Sequence, residues 1–239
     1  MEFTNAYQDL TRAQSYAQLE FPNTYYLAYR DLPKIIRKYA TGKKAIDFGC
    51  GTGRSARFLN GLGFETTGID ISAEMVAIAQ NTDPNGNYLV IENGKFSQLE
   101  QGSYDLILSV FTFDNIPGVK NRISLFDGLK SLLKPGGVGV FLDSTVELYA
   151  NEWASFSTKD FPENKTARSG DKVKVIMNDV PDRRPVEDII WTDADYKHIF
   201  DVTGFELLET FRPLASWDEP FLWVNETHLA PWVIYVLRK

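Results

Sequence analysis

Apolar positions along the chain fall into two alternating spacings. Residues 43–49, 65–70, 87–91, 103–111 and 138–143 form short apolar or alternating runs that read as strands. The run at 103–111, "SYDLILSVF", is apolar on both faces, as in a strand covered by helices on each side. Between the runs, helices are predicted over 54–60, 73–80 and a longer stretch marked by Val119, Ile123, Phe126, Leu129 and Leu133 at steps of three or four. Gly61 and Gly63 stop the first helix, Ser72 offers an N-cap to the second and "DPNG" at 83–86 ends it, and "KPGG" at 134–137 ends the third. Such alternation predicts an α/β fold built on a parallel sheet with right-handed crossovers.

After residue 143 the rhythm breaks. Residues 144 to about 170 are polar and aromatic without a clear period, and "KVKVIM" and "PVEDIIW" then predict two strands joined by the turn-rich "NDVPDRR". Thr192 offers an N-cap to a helix on Tyr196, Ile199 and Phe200, closed at Gly204, before the strands "FELLETF" and "WVIYVL". Alternation has resumed, so 144–190 reads as an inserted hairpin or cap within one domain. That domain comprises 42–143 and 191–239, preceded by a helical cap over 1–41.

Composition narrows the setting. With 239 residues, 44% of them hydrophobic, the chain can bury the core of one large domain. The single cysteine, Cys50, excludes an intramolecular disulfide, and its glycine neighbours mark it as a small buried residue. There is no charged-then-apolar leader and no run of 18 apolar residues, so the expectation is a soluble, cytoplasmic protein with no membrane partner. A net charge of −7 without a dense Lys/Arg stripe sets nucleic acid aside as a partner, and the lack of a Cys/His cluster sets aside structural zinc.

The chemistry concentrates in "AIDFGCGTGRSARFL", residues 45–59, where a strand meets a glycine-rich loop and restarts as a helix. Gly49, Gly51 and Gly53 let main chain approach a ligand without Cβ clashes, and the following helix turns free N–H groups toward it. A Walker loop would need Lys followed by Ser or Thr, where this chain has Arg54-Ser55, and the dinucleotide fingerprint would need a third glycine at Arg54. What remains is Asp47 before the loop and Asp70 at the end of the second strand. A carboxylate at Asp70 can accept both hydrogen bonds from a ribose diol, which points to a nucleoside.

The stretch "IDFGCGTGRSARFLNGLGFETTGIDIS" closely resembles the first two motifs of class I S-adenosylmethionine-dependent methyltransferases. "SYDLILSVF" and "LLKPGG" are similar to their later landmarks, in order and at the usual intervals. The resemblance covers residues 40–143 and the closing strands. It implies a doubly wound, mostly parallel seven-stranded Rossmann-like sheet with an antiparallel last strand, and S-adenosylmethionine as cofactor with S-adenosylhomocysteine as product. It further implies that Gly49, Gly51 and Gly53 face the methionyl part and that Asp70 takes the ribose hydroxyls. Ile71 then packs on the adenine, and Asp47 orders either the loop or the cofactor amine. The sequence departs from the pattern at "KFSQL", where Lys95 stands in place of an acid. The adenine amino group is therefore assigned to Asn93 or to main chain near Phe96.

Three regions are expected around the methyl acceptor. "SVFTFDNIP" places Ser109 to Asn115 beside the cofactor methyl, with Ser109 and Phe111 as cofactor contacts and Asp114 as a candidate base. The long apolar connection "PLASWDEPFLWVNETHLAPW" either caps the site or makes an interface, and its His228 is a second candidate base, whereas His198 is expected on the surface. In the amino-terminal "YAQLEFPNTYYLAYRDLP", Tyr26 and Arg30 are candidates to cover the cofactor. The reading is a methyltransferase acting on a small molecule at nitrogen or oxygen, as monomer or homodimer. A protein or RNA methyltransferase, a non-catalytic S-adenosylmethionine-binding regulator and a nicotinamide-dependent oxidoreductase are the alternatives.

Overall fold

The computed structural model describes residues 9–20 and 22–239. Of the cap expected over 1–41, residues 1–8 and 21 lie outside the described residues. The remainder holds three short helices, α1 (Leu10–Ala17), α2 (Thr24–Arg30) and α3 (Leu32–Tyr39). The alternating region follows as β1 (Lys44–Phe48), α4 (Arg54–Gly61), β2 (Glu65–Asp70), α5 (Ala73–Thr82), β3 (Asn87–Val90), β4 (Tyr104–Val110), α6 (Val119–Leu132) and β5 (Leu133–Ser144). Ser72 caps α5 as its position suggests, its hydroxyl accepting from the Met75 amide at 3.2 Å. β5 begins five residues ahead of the run at 138–143, because Leu133 already pairs with Tyr104. A register shift between Tyr104 and Leu106, with Gly136 at φ +76°, absorbs the "KPGG" turn within the strand.

Beyond β5 come α7 (Val146–Ala150), β6 (Phe156–Ser157), β7 (Lys172–Met177), β8 (Val186–Ile189), α8 (Asp193–Val202), β9 (Glu206–Phe211) and β10 (Trp232–Arg238). α8 opens with a reciprocal cap between Thr192 and Asp195. The hairpin expected within 144–190 forms from β7 and β8, and the short β6 extends it to three antiparallel strands.

The main sheet runs in the order β3-β2-β1-β4-β5-β10-β9, with β10 antiparallel to both of its neighbours. This is the doubly wound, mostly parallel arrangement implied by the resemblance, and strand order reverses between β1 and β4. Alternate residues of each strand enter opposite cores. Ala45, Leu106, Leu108, Val140, Leu142, Ile234 and Val236 pack toward α2, α3 and the small sheet. Ile46, Ile107, Phe141, Val233, Tyr235 and Leu237 pack toward α6 and α8. Burial of both faces accounts for the unbroken apolar runs of β4, β5 and β10. Among the described residues no helix is long and apolar enough to cross a membrane.

Candidate active site

β1 ends at the reversal of strand order, where the sheet leaves a crevice beyond the strand carboxyl ends. The chain turns there through Gly49 at φ +72° and Gly51 at φ +50°. At Gly49 a Cβ would lie 2.1 Å from Thr112 Oγ1, and that hydroxyl donates to the Phe48 carbonyl at 2.9 Å, closing β1 against the chain leaving β4. Only glycine fits this crossing. Asp70 fixes the turn from the next strand. Its Oδ2 accepts from the Gly51 amide at 2.8 Å and its Oδ1 from the Ser72 amide at 2.9 Å. Burial pushes the Asp70 carboxyl above its ordinary range, against the two amides that favour its charged form.

Asp47 lies deeper in β1 and is fully buried, its Oδ2 accepting from Ser55 Oγ at 2.6 Å in the first turn of α4. It thereby ties strand to helix behind the loop, and burial pushes it up to about 7. Gly53 stands as the residue before α4, with the Tyr88 hydroxyl 2.8 Å from where a Cβ would be.

Gly49, Gly51, Asp70, Ile71 and Asn93 line one end of a cavity of about 160 Å³. The wall continues through Phe111 and Thr112 at the exit of β4 to Asp114 in the 3-10 turn Phe113–Asn115 and to Ser144 at the end of β5. It closes over Tyr25 of α2, Phe156 and Trp232, and over Val175, Met177, Val186 and Asp188 of the small sheet. Phe111 takes φ +60°, a backbone conformation unusual for a non-glycine residue. Its ring is held at 4.6 Å from Trp232 and 5.9 Å from Tyr25, centroid to centroid.

Asp114 is buried and accepts three contacts from one residue, from Ser144 Oγ at 2.7 Å and from the Ser144 amide at 3.1 and 3.2 Å. Burial pushes its carboxyl up to about 6, offset by those bonds and by the Arg122 guanidinium. Arg122 is itself fully buried against Trp191, Tyr196 and Phe113 and donates to the Phe113 carbonyl at 2.8 Å, so it holds the turn that carries Asp114. The neighbouring Asp143 is fully buried and pushed well up by burial and by the Asp114 charge.

Several sequence-level candidates lie elsewhere. His228 is exposed, its ring 6.3 Å from Trp217 and outside the cavity, so a base role for it is withdrawn. Arg30 is engaged by Asp31 at 2.8 Å, Glu219 at 2.7 Å and the Leu214 carbonyl at 3.0 Å, and it fastens α2 to the 212–231 connection rather than covering a cofactor. Tyr26 packs on Phe221 at 5.1 Å, and its neighbour Tyr25 reaches the cavity, as does Tyr16 of α1. Ser109 is fully buried beside Phe48 and Phe141 and takes no part in the wall. Phe96 packs on Phe48 at 6.2 Å behind the site and leaves Asn93 as the side chain at the rim. Sequence reasoning placed Thr112 within 109–115 and Tyr25 within the amino-terminal tyrosine stretch without singling either out, and it missed Ser144 and Asp188. Only Asp188 carried a signal, an acid in phase with Val186 at the inward positions of β8.

The long connection at 212–231 does close over one side. Glu226, fully buried, accepts from Thr24 Oγ1 at 2.6 Å and the Ala154 amide at 2.8 Å through one oxygen. Its other oxygen takes the amides of Val224 and Asn225 at 2.7 and 3.0 Å. One carboxylate thus joins α2, the 144–190 segment and the connection. Trp232 Nε1 adds a bond to the Thr24 carbonyl at 2.8 Å.

A family model described as a methyltransferase domain matches residues 23–210. The chain is similar to the ubiquinone biosynthesis O-methyltransferase of Burkholderia ambifaria, 29% identical over 103 residues, which cover 41% of this chain and 43% of that protein. It therefore spans less than half the length of this relative. It is also similar to an uncharacterized protein of Methanocaldococcus jannaschii, 27% identical over 206 residues, 83% of this chain and 75% of that one. Among solved structures, an S-adenosylmethionine-dependent methyltransferase from Mesorhizobium loti superposes with a TM-score of 0.63 at 21% identity, covering 89% of this chain and 98% of that one. One from Methanosarcina mazei does so with a TM-score of 0.63 at 16% identity, covering 86% and 96%. At such identities the likeness is one of fold. With the family match running from α2 to β9 over the sheet order described above, the chain belongs to the methyltransferase-domain family, in its class I, S-adenosylmethionine-dependent branch.

Proposed function

We propose that this methyltransferase acts on a small molecule held in the cavity between the glycine turn and the small sheet. The observation that carries the reading is the continuity of that cavity. One wall runs from Gly49, Gly51 and Asp70 to Asp114 and Ser144, and α2, Trp232 and the small sheet cover it. The bare main chain at Gly49 and Gly51 and the carboxylate of Asp70 suit the methionyl and ribose parts of S-adenosylmethionine, while Ile71 and Asn93 suit the adenine. When bound, the cofactor supplies an electrophilic methyl carbon whose bond to sulfur breaks as an acceptor lone pair forms the new bond. The protein's share is positioning, worth up to ~7 to 11 kcal/mol when donor and acceptor sit in near-attack geometry. Phe111, Trp232 and Tyr25 exclude water, and Asp114 takes the proton that an acceptor nitrogen or hydroxyl gives up, with Ser144 fixing the carboxylate.

Calorimetric titration with S-adenosylmethionine and S-adenosylhomocysteine tests the cofactor half. Wild type should bind both, and Asp70→Ala should weaken each by about 30-fold or more, the equivalent of roughly 2 kcal/mol for charge-assisted hydrogen bonds lost from a carboxylate. Equal affinity in the variant would reject Asp70 as the ribose ligand. Turnover on peptide or RNA acceptors with none on small amines or hydroxyl compounds would reject the small-molecule reading.

A further inference from the structure

Among the described residues three carboxylates line the cavity, those of Asp70, Asp114 and Asp188, and no lysine, arginine or histidine does. Asp70 belongs to the cofactor end. The other two belong to the far end, beyond the β4 and β5 exits. Three strand spacings of roughly 4.8 Å, about 14 Å in all, separate β2 from β5 in the sheet. Asp188 is 7% exposed, yet it lines the cavity. Its Oδ2 accepts from the Tyr149 hydroxyl at 3.1 Å, and its Oδ1 has no hydrogen-bond partner among the described residues. That oxygen is not fully buried, so a donor on a ligand in the cavity can reach it. The strand bearing Asp188 packs on the turn bearing Asp114, and each charge raises the cost of the other.

Beside the two acids, the cavity is walled by a cluster of rings. Tyr25 touches Phe156 at 5.0 Å, Phe111 touches Trp232 at 4.6 Å, and Phe156 meets Trp232 at 5.6 Å. Arg122 and Arg12 act on these acids from outside the cavity lining, so ring faces and carboxylates are what a guest meets, and both favour a compact apolar body with a cationic head.

We propose that the methyl acceptor is an amine that enters as the ammonium, its nitrogen bonded by the carboxylates of Asp188 and Asp114 and its apolar body against Phe111, Trp232 and Phe156. This rests on the small-molecule reading above and narrows it to nitrogen. Asp188, supplied by the 144–190 segment, is then the residue that selects the head group, and Asp114 takes the ammonium proton to free the lone pair.

The test uses the full chain saturated with S-adenosylhomocysteine and three probes sharing one ring, 2-phenylethylamine, 2-phenylethanol and 3-phenylpropionate. Affinity is read by calorimetry and ligand-observed NMR. The amine should bind about tenfold more tightly than the alcohol, a difference of about 1.4 kcal/mol, and the carboxylate should bind least. In Asp188→Asn the preference for the amine should fall to within about threefold, with affinity for S-adenosylhomocysteine retained as the check on folding. Should the variant lose that affinity too, the ranking in the wild type decides. An equal response to all three probes, including none, or tighter binding of the alcohol or the carboxylate overturns the proposal. So does an amine preference that survives in a folded Asp188→Asn. Failure of S-adenosylhomocysteine to bind the wild type would instead overturn the reading on which this one stands.

Discussion

Gly49 and Asp114 show how single side chains set the limits of the site. Replacing Gly49 by alanine places a methyl 2.1 Å from Thr112 Oγ1 at a backbone angle of +72°. Left-handed strain and overpacking together should cost about 2 to 5 kcal/mol. Thermal unfolding of Gly49→Ala should fall on the order of 10 °C, with S-adenosylhomocysteine affinity reduced alongside. An unchanged melting temperature would show that the crossing of β1 and the β4 exit is looser than described. As the proposed base, Asp114 should set the pH response. It faces Ser144, the Arg122 guanidinium and the carboxylates of Asp143 and Asp188, and burial raises it from an ordinary 3.8 to about 6. A base must be ionised, so kcat/KM should fall as pH drops below about 6, with the acids titrating as a linked set. The sign for stability is opposite, because the folded state holds this proton more tightly than the unfolded one. The contribution is present below pH 3.8 and lost as the pH rises through about 6. Asp114→Asn should remove the acid limb of the rate profile and flatten that part of the stability curve, and a rate limb that persists in the variant would assign the base elsewhere.

At the scale of elements, what could be read from sequence follows the range of the interactions involved. β1, β2, β4, α4, α5 and α8 announce themselves through period and caps that are complete within about ten residues, as Ser72 and the pairing of Thr192 with Asp195 show. The cofactor end was legible for the same reason, since Gly49, Gly51, Asp70 and Ile71 come from two neighbouring strand ends whose order the motif spacing fixes. The far end was legible only in part, at Phe111 and Asp114. Tyr25, Ser144, Asp188 and Trp232 meet only because α2, β5, β8 and β10 converge from across the chain. Local pattern does not separate Tyr25 from Tyr26, or a pocket acid from a surface one. His228 and Arg30 misled by residue type alone, as chemically apt groups whose partners, Trp217 for one and Asp31 and Glu219 for the other, lie outside the cavity lining.

For the molecule as a whole, Glu226 is the point where the covering segments are joined, with four donors drawn from Thr24, Ala154, Val224 and Asn225. Glu226→Ala leaves the buried Thr24 hydroxyl and three part-buried amides without their acceptor, at a cost of about 3 kcal/mol, and thermal unfolding should fall by roughly 6 °C or more. Glu226→Gln should lose less, because one oxygen is kept. Loss of acceptor turnover well beyond the loss of cofactor binding would mark the covering segments as a unit, whereas wild-type turnover and melting would show that they stand independently. The same junction bears on any attempt to change what the enzyme methylates by exchange of parts. The 144–190 segment supplies Asp188 and much of the cavity wall, and it is the obvious piece to graft from a relative. Grafted alone it would arrive without the threonine and the glutamate that receive it. A working chimera must therefore carry residues 22–30 and 212–231 from the same donor, so on the proposed reading acceptor choice is inherited as three separate stretches of sequence rather than one.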